Sequence, residues 1–378
     1  LGFTSLEQVE ATAVISNVAL GFIAFDIGNE FRLESLKKTG RQALIIGIFQ
    51  ALATTVIVDI VLVLISITTN ILSISAAITL GAIASATAPA ATLMVVRQYK
   101  AKGPLTDLLL PIVALDDAVG LIIFAVSLGV AQAIKGGAVS IVTVIVNPLL
   151  EILCSLALGA LMGAVMTWME KMFFSNTNRL SMTISFVMMT IALATVRIEL
   201  PGGLEIGFSS LLVCMMLGTV FCNICEFSED LMARAEKWTA PLSAVFFVLS
   251  GAELDISRFG QLSIVGVGMI YILTRSAGKY VGAGISSAIA GCSATVRKYL
   301  GITLLPQAGV ALGMVVSAQA LGGEDAAIIK NIILFGVLIY ELFGPMLTRN
   351  ALASAGEIAA KPVEKTTRDR FKDNKRNR

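Results

Sequence analysis

Histidine is absent from all 378 residues. No imidazole can serve here as metal ligand, general base or pH switch. Charge is also scarce: 14% of residues are Asp, Glu, Lys or Arg, against about 25% in soluble domains. Cysteine is limited to positions 154, 214, 222, 225 and 292, all in or beside apolar stretches. Cys222-x-x-Cys225 lacks the second pair that a zinc site needs, so these residues read as thiols lining helices. No cleavable signal peptide is visible, and the chain begins on Leu1 rather than Met. No soluble nucleotide-binding module is expected after the apolar part, and no cofactor, nucleic-acid partner or enzymatic activity is implied.

What the chain has instead is hydrocarbon: 56% of residues are hydrophobic. The apolar runs are too long and too numerous for a soluble core, so the expected fold is an all-α polytopic membrane protein. Hydropathy predicts about eleven spans, at 9–30, 41–67, 72–96, 105–134, 138–168, 180–198, 206–224, 238–252, 260–290, 300–321 and 327–348. Pro241 is expected in the first turn of the short eighth span. Lys and Arg divide 22 to 4 between the two sets of loops, with Arg275 and Lys279 inside a span. The positive-inside rule then places the C-terminus in the cytoplasm of a cell (inner, plasma) membrane and the N-terminus outside. Residues 1–348 form the expected transmembrane domain and 349–378 a basic cytoplasmic tail.

Within this apolar background, Leu115-Asp116-Asp117-Ala118 stands out. A carboxylate at the bilayer centre costs from about 3 to over 10 kcal/mol, so an acid pair there points to function. Neighbours on a helix lie about 100° apart, which lets one Asp face a cavity and the other a second partner. Asp117 reads as the cation- and proton-binding carboxylate, and Asp116 as a member of an ion-pair network. Arg275 and Lys279, four residues apart on one helix face, supply cations from the other half, and Gly278, Gly282 and Gly284 permit close helix approach. Asp26, Asp59, Glu341 and Glu151 are further acids within spans, ranked below the pair.

The chain also repeats itself weakly. Gly28-Asn29-Glu30-Phe31-Arg32-Leu33 aligns with Gly251-Ala252-Glu253-Leu254-Asp255-Ile256, each at the end of a span. Two spans later each half has an interior proline: Ala86-Thr87-Ala88-Pro89 and Leu305-Pro306-Gln307-Ala308. Proline removes a helical hydrogen bond, and in lipid the freed backbone must find protein, water or an ion. Paired interruptions in oppositely oriented halves mark a midplane transport site in an inverted-repeat fold.

Together these residues resemble the monovalent cation:proton antiporter superfamily, of the bacterial sodium/proton exchanger type. The resemblance rests on Leu115–Ala118, Thr87-Ala88-Pro89, Arg275-x-x-Gly278-Lys279-x-x-Gly282-Ala283 and Leu305-Pro306-Gln307-Ala308-Gly309. Gly21-Phe22-Ile23-Ala24-Phe25 and Phe246-Phe247-Val248-Leu249-Ser250-Gly251 add to it. The family implies an inverted-repeat antiporter fold with two unwound, crossing helices, unwound here at Ala88, Pro89, Pro306 and Gln307. It implies a core built from about 72–134 and 260–321, scaffold helices that make a homodimer, and elevator-type alternating access. It implies Na+ (or K+ or Li+) bound at Asp117, with Asp116 paired to a membrane cation, either Lys279 or Arg275. Animal-type exchangers often carry Asp in the first interruption. Here Ala88 stands there, which leaves Thr87 and backbone carbonyls as ligands and the half-helix dipoles without an acid between them. Members usually carry one or two helices before the first span found here.

The implied chemistry is competition at one carboxylate. Burial raises a carboxyl pKa and a nearby cation lowers it; balanced near neutral pH, the group trades a proton for Na+. A sodium-coupled symporter of the same architecture is the alternative. An intramembrane aspartyl protease would need Gly-x-Gly-Asp, which is absent.

Overall fold

The computed structural model describes residues 13–29, 31–69, 71–136, 146–200, 204–252 and 262–358. Thirteen α-helices run through them: α1 (Ala13–Asn29), α2 (Leu33–Thr69), α3 (Ile74–Ala84), α4 (Pro89–Tyr99), α5 (Pro104–Lys135), α6 (Asn147–Glu170), α7 (Asn176–Leu193), α8 (Ser210–Ile224), α9 (Ser228–Ala252), α10 (Leu262–Ile289), α11 (Ala294–Thr303), α12 (Gly309–Ala318) and α13 (Gly323–Ser354).

The two proline-interrupted spans are each resolved as two half-helices, α3–α4 and α11–α12. Serine starts both leading halves: the Ser73 hydroxyl accepts from the Ala76 N–H, and the Ser293 hydroxyl from the Val296 N–H, which fills orphan donors at each N-terminus. α11 begins 220 residues after α3, α12 220 after α4, and α13 219 after α5, and α5 and α13 are both 32 residues long. The inverted repeat is therefore carried by helix lengths and caps more clearly than by side chains. The Gly-x-Glu match used in the sequence falls largely outside the described residues, at Glu30 and from Glu253 onward, as does the tail from residue 359.

Several boundaries differ from expectation. The eighth span does not start near Pro241: α9 begins at Ser228 and Pro241 lies inside it. Its amphipathic first turns, with Glu229 and Asp230 exposed and the Asp230–Arg234 pair at 2.7 Å, hide that start from hydropathy. The Arg234 guanidinium holds the exposed Asp230 carboxyl below its usual range. The sixth span ends at Leu193, and Ile198–Leu200 pairs antiparallel with Leu204–Ile206 in a small hairpin. The last helix runs on past 348 to Ser354. Four described helices are long and apolar enough to cross a membrane: Gly40–Thr69, Pro104–Lys135, Leu149–Glu170 and Gly323–Ser354. The half-helices are each too short to do so, and the count of eleven spans is not established by helix length.

Packing divides the helices into two groups. α2, α3, α5, α10, α11 and α13 pack on one another, with α4 and α12 joined to them through α13 and α5; α1, α6, α7, α8 and α9 form the second group, which α12 touches at α1. In the first group α10 lies closest to α2. A Cβ on Gly278 would stand 3.1 Å from Thr54 Cα, and one on Gly282 3.2 Å from the Gln50 carbonyl. Gly284 faces the looser Arg297 carbonyl at 3.5 Å. Small residues thus let α10 press its basic face against α2 and the breaks. In the second group α1 and α8 touch at Gly28 and Gly218, beside the Phe25–Phe221 ring pair. The described cysteines are free thiols, four of them buried and Cys154 half-buried. Burial pushes the Cys225 and Cys292 thiols up.

Candidate functional site: two crossed helix breaks around a buried ion pair

The breaks between α3 and α4 and between α11 and α12 meet. The Ala88 N–H donates to the Pro306 carbonyl at 2.8 Å, and the Thr92 hydroxyl to the Thr303 carbonyl at 3.2 Å. Backbone freed at one break is thus satisfied by the other, as a non-aqueous setting requires.

The Lys279 ammonium enters this crossing from α10. It donates to Asp116 Oδ2 at 2.7 Å, to Thr87 Oγ1 at 2.9 Å and to Gln50 Oε1 at 3.1 Å, and it contacts the Ser85 carbonyl. Asp116 Oδ1 accepts from Gln50 Nε2, and Oδ2 from the Thr87 hydroxyl. Lys279, Asp116 and Gln50 are all 0% exposed. Of the two cations, Lys279 is therefore the one that pairs with Asp116.

Arg275 does other work. Its guanidinium donates to the Ala84 carbonyl at 3.0 Å, the Ala86 carbonyl at 2.6 Å and the Leu305 carbonyl at 2.7 Å. The Tyr340 ring lies beneath it, 4.4 Å from the guanidinium carbon. The Ala84 carbonyl ends α3, and those of Ala86 and Leu305 follow α3 and α11. The negative ends of both leading half-helices, α3 and α11, therefore point at Arg275, and Lys279 takes the Ser85 carbonyl beside them. The negative half-helix ends are thus compensated from α10, whereas an acid at the Ala88 position would serve the positive ends. Gln307 closes the second break, donating to the Ile83 carbonyl at 3.0 Å and to the Tyr271 hydroxyl at 3.0 Å.

The backbone of Asp117 lies within α5, one residue beyond Asp116; its side chain lies outside the described residues, as does that of Pro89. The lower-ranked acids are elsewhere. Asp26 accepts from the Thr239 hydroxyl at 3.2 Å in the second helix group, and Glu341 is exposed on α13. Glu151 is half-buried on α6. Asp59 packs against Gly81 of α3, with Oδ1 buried and unbonded among the described residues. Sequence reasoning missed Gln50, which bridges both members of the ion pair. Its signal was available: an uncharged amide alone in the apolar run between Ala43 and Ala53.

The fold has counterparts among solved structures. The structure is similar to that of the sodium proton antiporter MjNhaP1 from Methanocaldococcus jannaschii at pH 8, with a TM-score of 0.69 and 17% identity over 91% of this chain and 86% of that one. An electron-microscopy structure of the same antiporter matches with a TM-score of 0.66 and 16% identity, over 93% of this chain and 87% of that one. No curated protein sequence matches the chain. The family described as sodium/hydrogen exchanger, transmembrane, matches residues 1–351. None of these matches favours a solute-coupled symporter. The chain thus belongs to the sodium/hydrogen exchanger family of secondary transporters, which move a cation against protons across a membrane without a cofactor.

Proposed function

We propose that this chain exchanges Na+ for protons at Asp117, with Asp116 held as the neutralised half of an ion pair. One observation carries the reading: a fully buried Lys279–Asp116 pair sits where two broken helices cross, one residue from a second aspartate. The Lys279 amine neutralises Asp116, so the neighbouring carboxylate is left to bind either a proton or a cation. Oxygen donors suit a hard cation, and the Thr87 hydroxyl and the carbonyls at the breaks supply them nearby. Proton and cation compete for one group, and alternating access carries whichever is bound. The 22-to-4 distribution of Lys and Arg supports a plasma-membrane protein whose C-terminal side faces the cytoplasm. The second helix group is read as the scaffold of a homodimer; Leu149, Leu153, Leu161 and Trp168 of α6 leave it an exposed apolar face.

The test is made in proteoliposomes with an inside-acid pH gradient and a pH-sensitive dye. Outside Na+ is expected to make the lumen alkaline, and Asp117→Asn to abolish the response without loss of protein. Retained exchange in that variant overturns the site, and a K+ addition ranks the ions.

A further inference from the structure

α5, the helix that carries Asp116 and Asp117, is capped from the far end of the chain. Its own N-cap, Gly103, offers no side chain, and Pro104 has no N–H to satisfy. The next two backbone donors go to Glu357. The Leu105 N–H donates to Glu357 Oε1 at 2.6 Å and the Thr106 N–H to Oε2 at 2.7 Å, with the Thr106 hydroxyl on the same oxygen at 2.7 Å. The Lys102 N–H donates to the Glu357 carbonyl at 3.0 Å. Glu357 is 8% exposed. A negative group there also meets the positive end of the helix dipole.

Both partners are shaped for this contact. α13 ends in a left-handed turn at Gly356, φ +78°, with the Glu357 N–H bonded back to the Leu352 carbonyl at 3.0 Å. That turn aims Glu357 away from its own helix. Gly103 takes φ +156°, and a Cβ there would lie 2.5 Å from Glu357 Cδ. At the other end of α5, Lys135 bonds Asp325 of α13 at 2.7 Å and the Gly322 carbonyl at 3.0 Å. α5 is therefore tied at both ends to its repeat counterpart. Between the Glu357 cap and the aspartates lies Pro111, where a helix lacks a hydrogen bond and bends readily. Whatever fixes the arm before that proline fixes the bend, and with it where the aspartates stand relative to the crossed breaks.

We propose that Glu357, which lies beyond the family match at residues 1–351, is a positioning residue for the ion site. It acts through α5 on a site about 18 Å away, twelve residues at 1.5 Å each. This rests on the reading of Asp117 as the ion-binding group.

The experiment compares wild type, Glu357→Ala, Glu357→Gln and Thr106→Val as full chains in proteoliposomes, with Asp117→Asn alongside. Glu357→Ala is expected to raise the apparent KM for Na+ about fivefold, the effect of losing a helix cap, while Vmax changes less. Glu357→Gln, which keeps one acceptor, and Thr106→Val fall between it and wild type. Hydrogen exchange of the detergent-solubilised protein is read in parallel. It is expected to accelerate past Pro111 as far as Asp117 in the Ala variant. Faster exchange confined to residues 105–107, or a wild-type KM in well-folded Glu357→Ala, overturns the proposal. If Glu357→Ala does not fold, Thr106→Val decides by the same two readouts. Retained exchange in Asp117→Asn is a separate failure, of the ion-site reading, and the hydrogen-exchange result then still judges the cap.

Discussion

Replacing Lys279 by Met is expected to harm the fold more than replacing its partner Asp116 by Asn. The two charged groups stand 2.7 Å apart at 0% exposure. At an effective dielectric of 20 the attraction is about 6 kcal/mol, before the desolvation of both groups is set against it. Without the amine, Asp116 keeps only Gln50 and Thr87 as donors, and an uncompensated buried charge costs about 3–5 kcal/mol. Without the carboxylate, the ammonium still has the Ser85 carbonyl, Thr87 and Gln50, three acceptors for three N–H groups. That ammonium is a lone buried charge too, but its three acceptors offset most of the penalty, which leaves a loss of about 1–2 kcal/mol. Thermal midpoints of the purified protein in detergent measure the difference. At about 2 °C per kcal/mol, Lys279→Met falls about 6–10 °C and Asp116→Asn about 2–4 °C. The double variant recovers part of the Lys279→Met loss because no lone charge remains. Equal losses for the two single variants, or strict additivity in the double, would refute the reasoning.

Arg275→Lys is expected to abolish transport and lower the thermal midpoint, because one ammonium cannot span the Ala84, Ala86 and Leu305 carbonyls that the planar fork reaches; a variant with normal exchange counts against the clamp. Gly301→Ala and Gly81→Ala occupy equivalent places in the repeat but differ in what they strike. A Cβ on Gly301 meets the Tyr280 Cα at 2.5 Å and the Lys279 carbonyl at 2.8 Å, both backbone atoms, whereas one on Gly81 meets the Asp59 carboxylate. Folding of Gly81→Ala is therefore rescued by Asp59→Ala and that of Gly301→Ala by no side-chain change nearby, as monodispersity in size-exclusion chromatography will report.

Much of the architecture could be read in the sequence because membrane burial leaves loud signals. Apolar run length gave the helices, Pro89 and Pro306 gave the two breaks, and Asp116, Arg275 and Lys279 stood out because charge in lipid is expensive. Hydropathy failed where a helix leaves the apolar zone: the polar first turns of α9 before Pro241 read as loop. It could not choose between Arg275 and Lys279, since both lie on one face of α10 and only the third dimension separates an acid from a row of carbonyls. Gln50 was passed over because an uncharged amide is a weak signal in a long apolar run. Glu357 was hidden in a polar tail, its meaning fixed by a helix 250 residues away. The matched N-caps at Ser73 and Ser293 mark the repeat better than the Gly-x-Glu stretches.

The hydrogen bond from Ala88 to Pro306 and the Arg275 fork spanning both interruptions have a consequence for selectivity. They rivet the two breaks into one solid piece, so on the proposed mechanism the cage around the cargo travels with it instead of being rebuilt at each face. Discrimination among Na+, K+ and Li+ is then a property of a single cavity. The order of preference measured from one side of the membrane must be the order measured from the other, whatever the difference in absolute affinity.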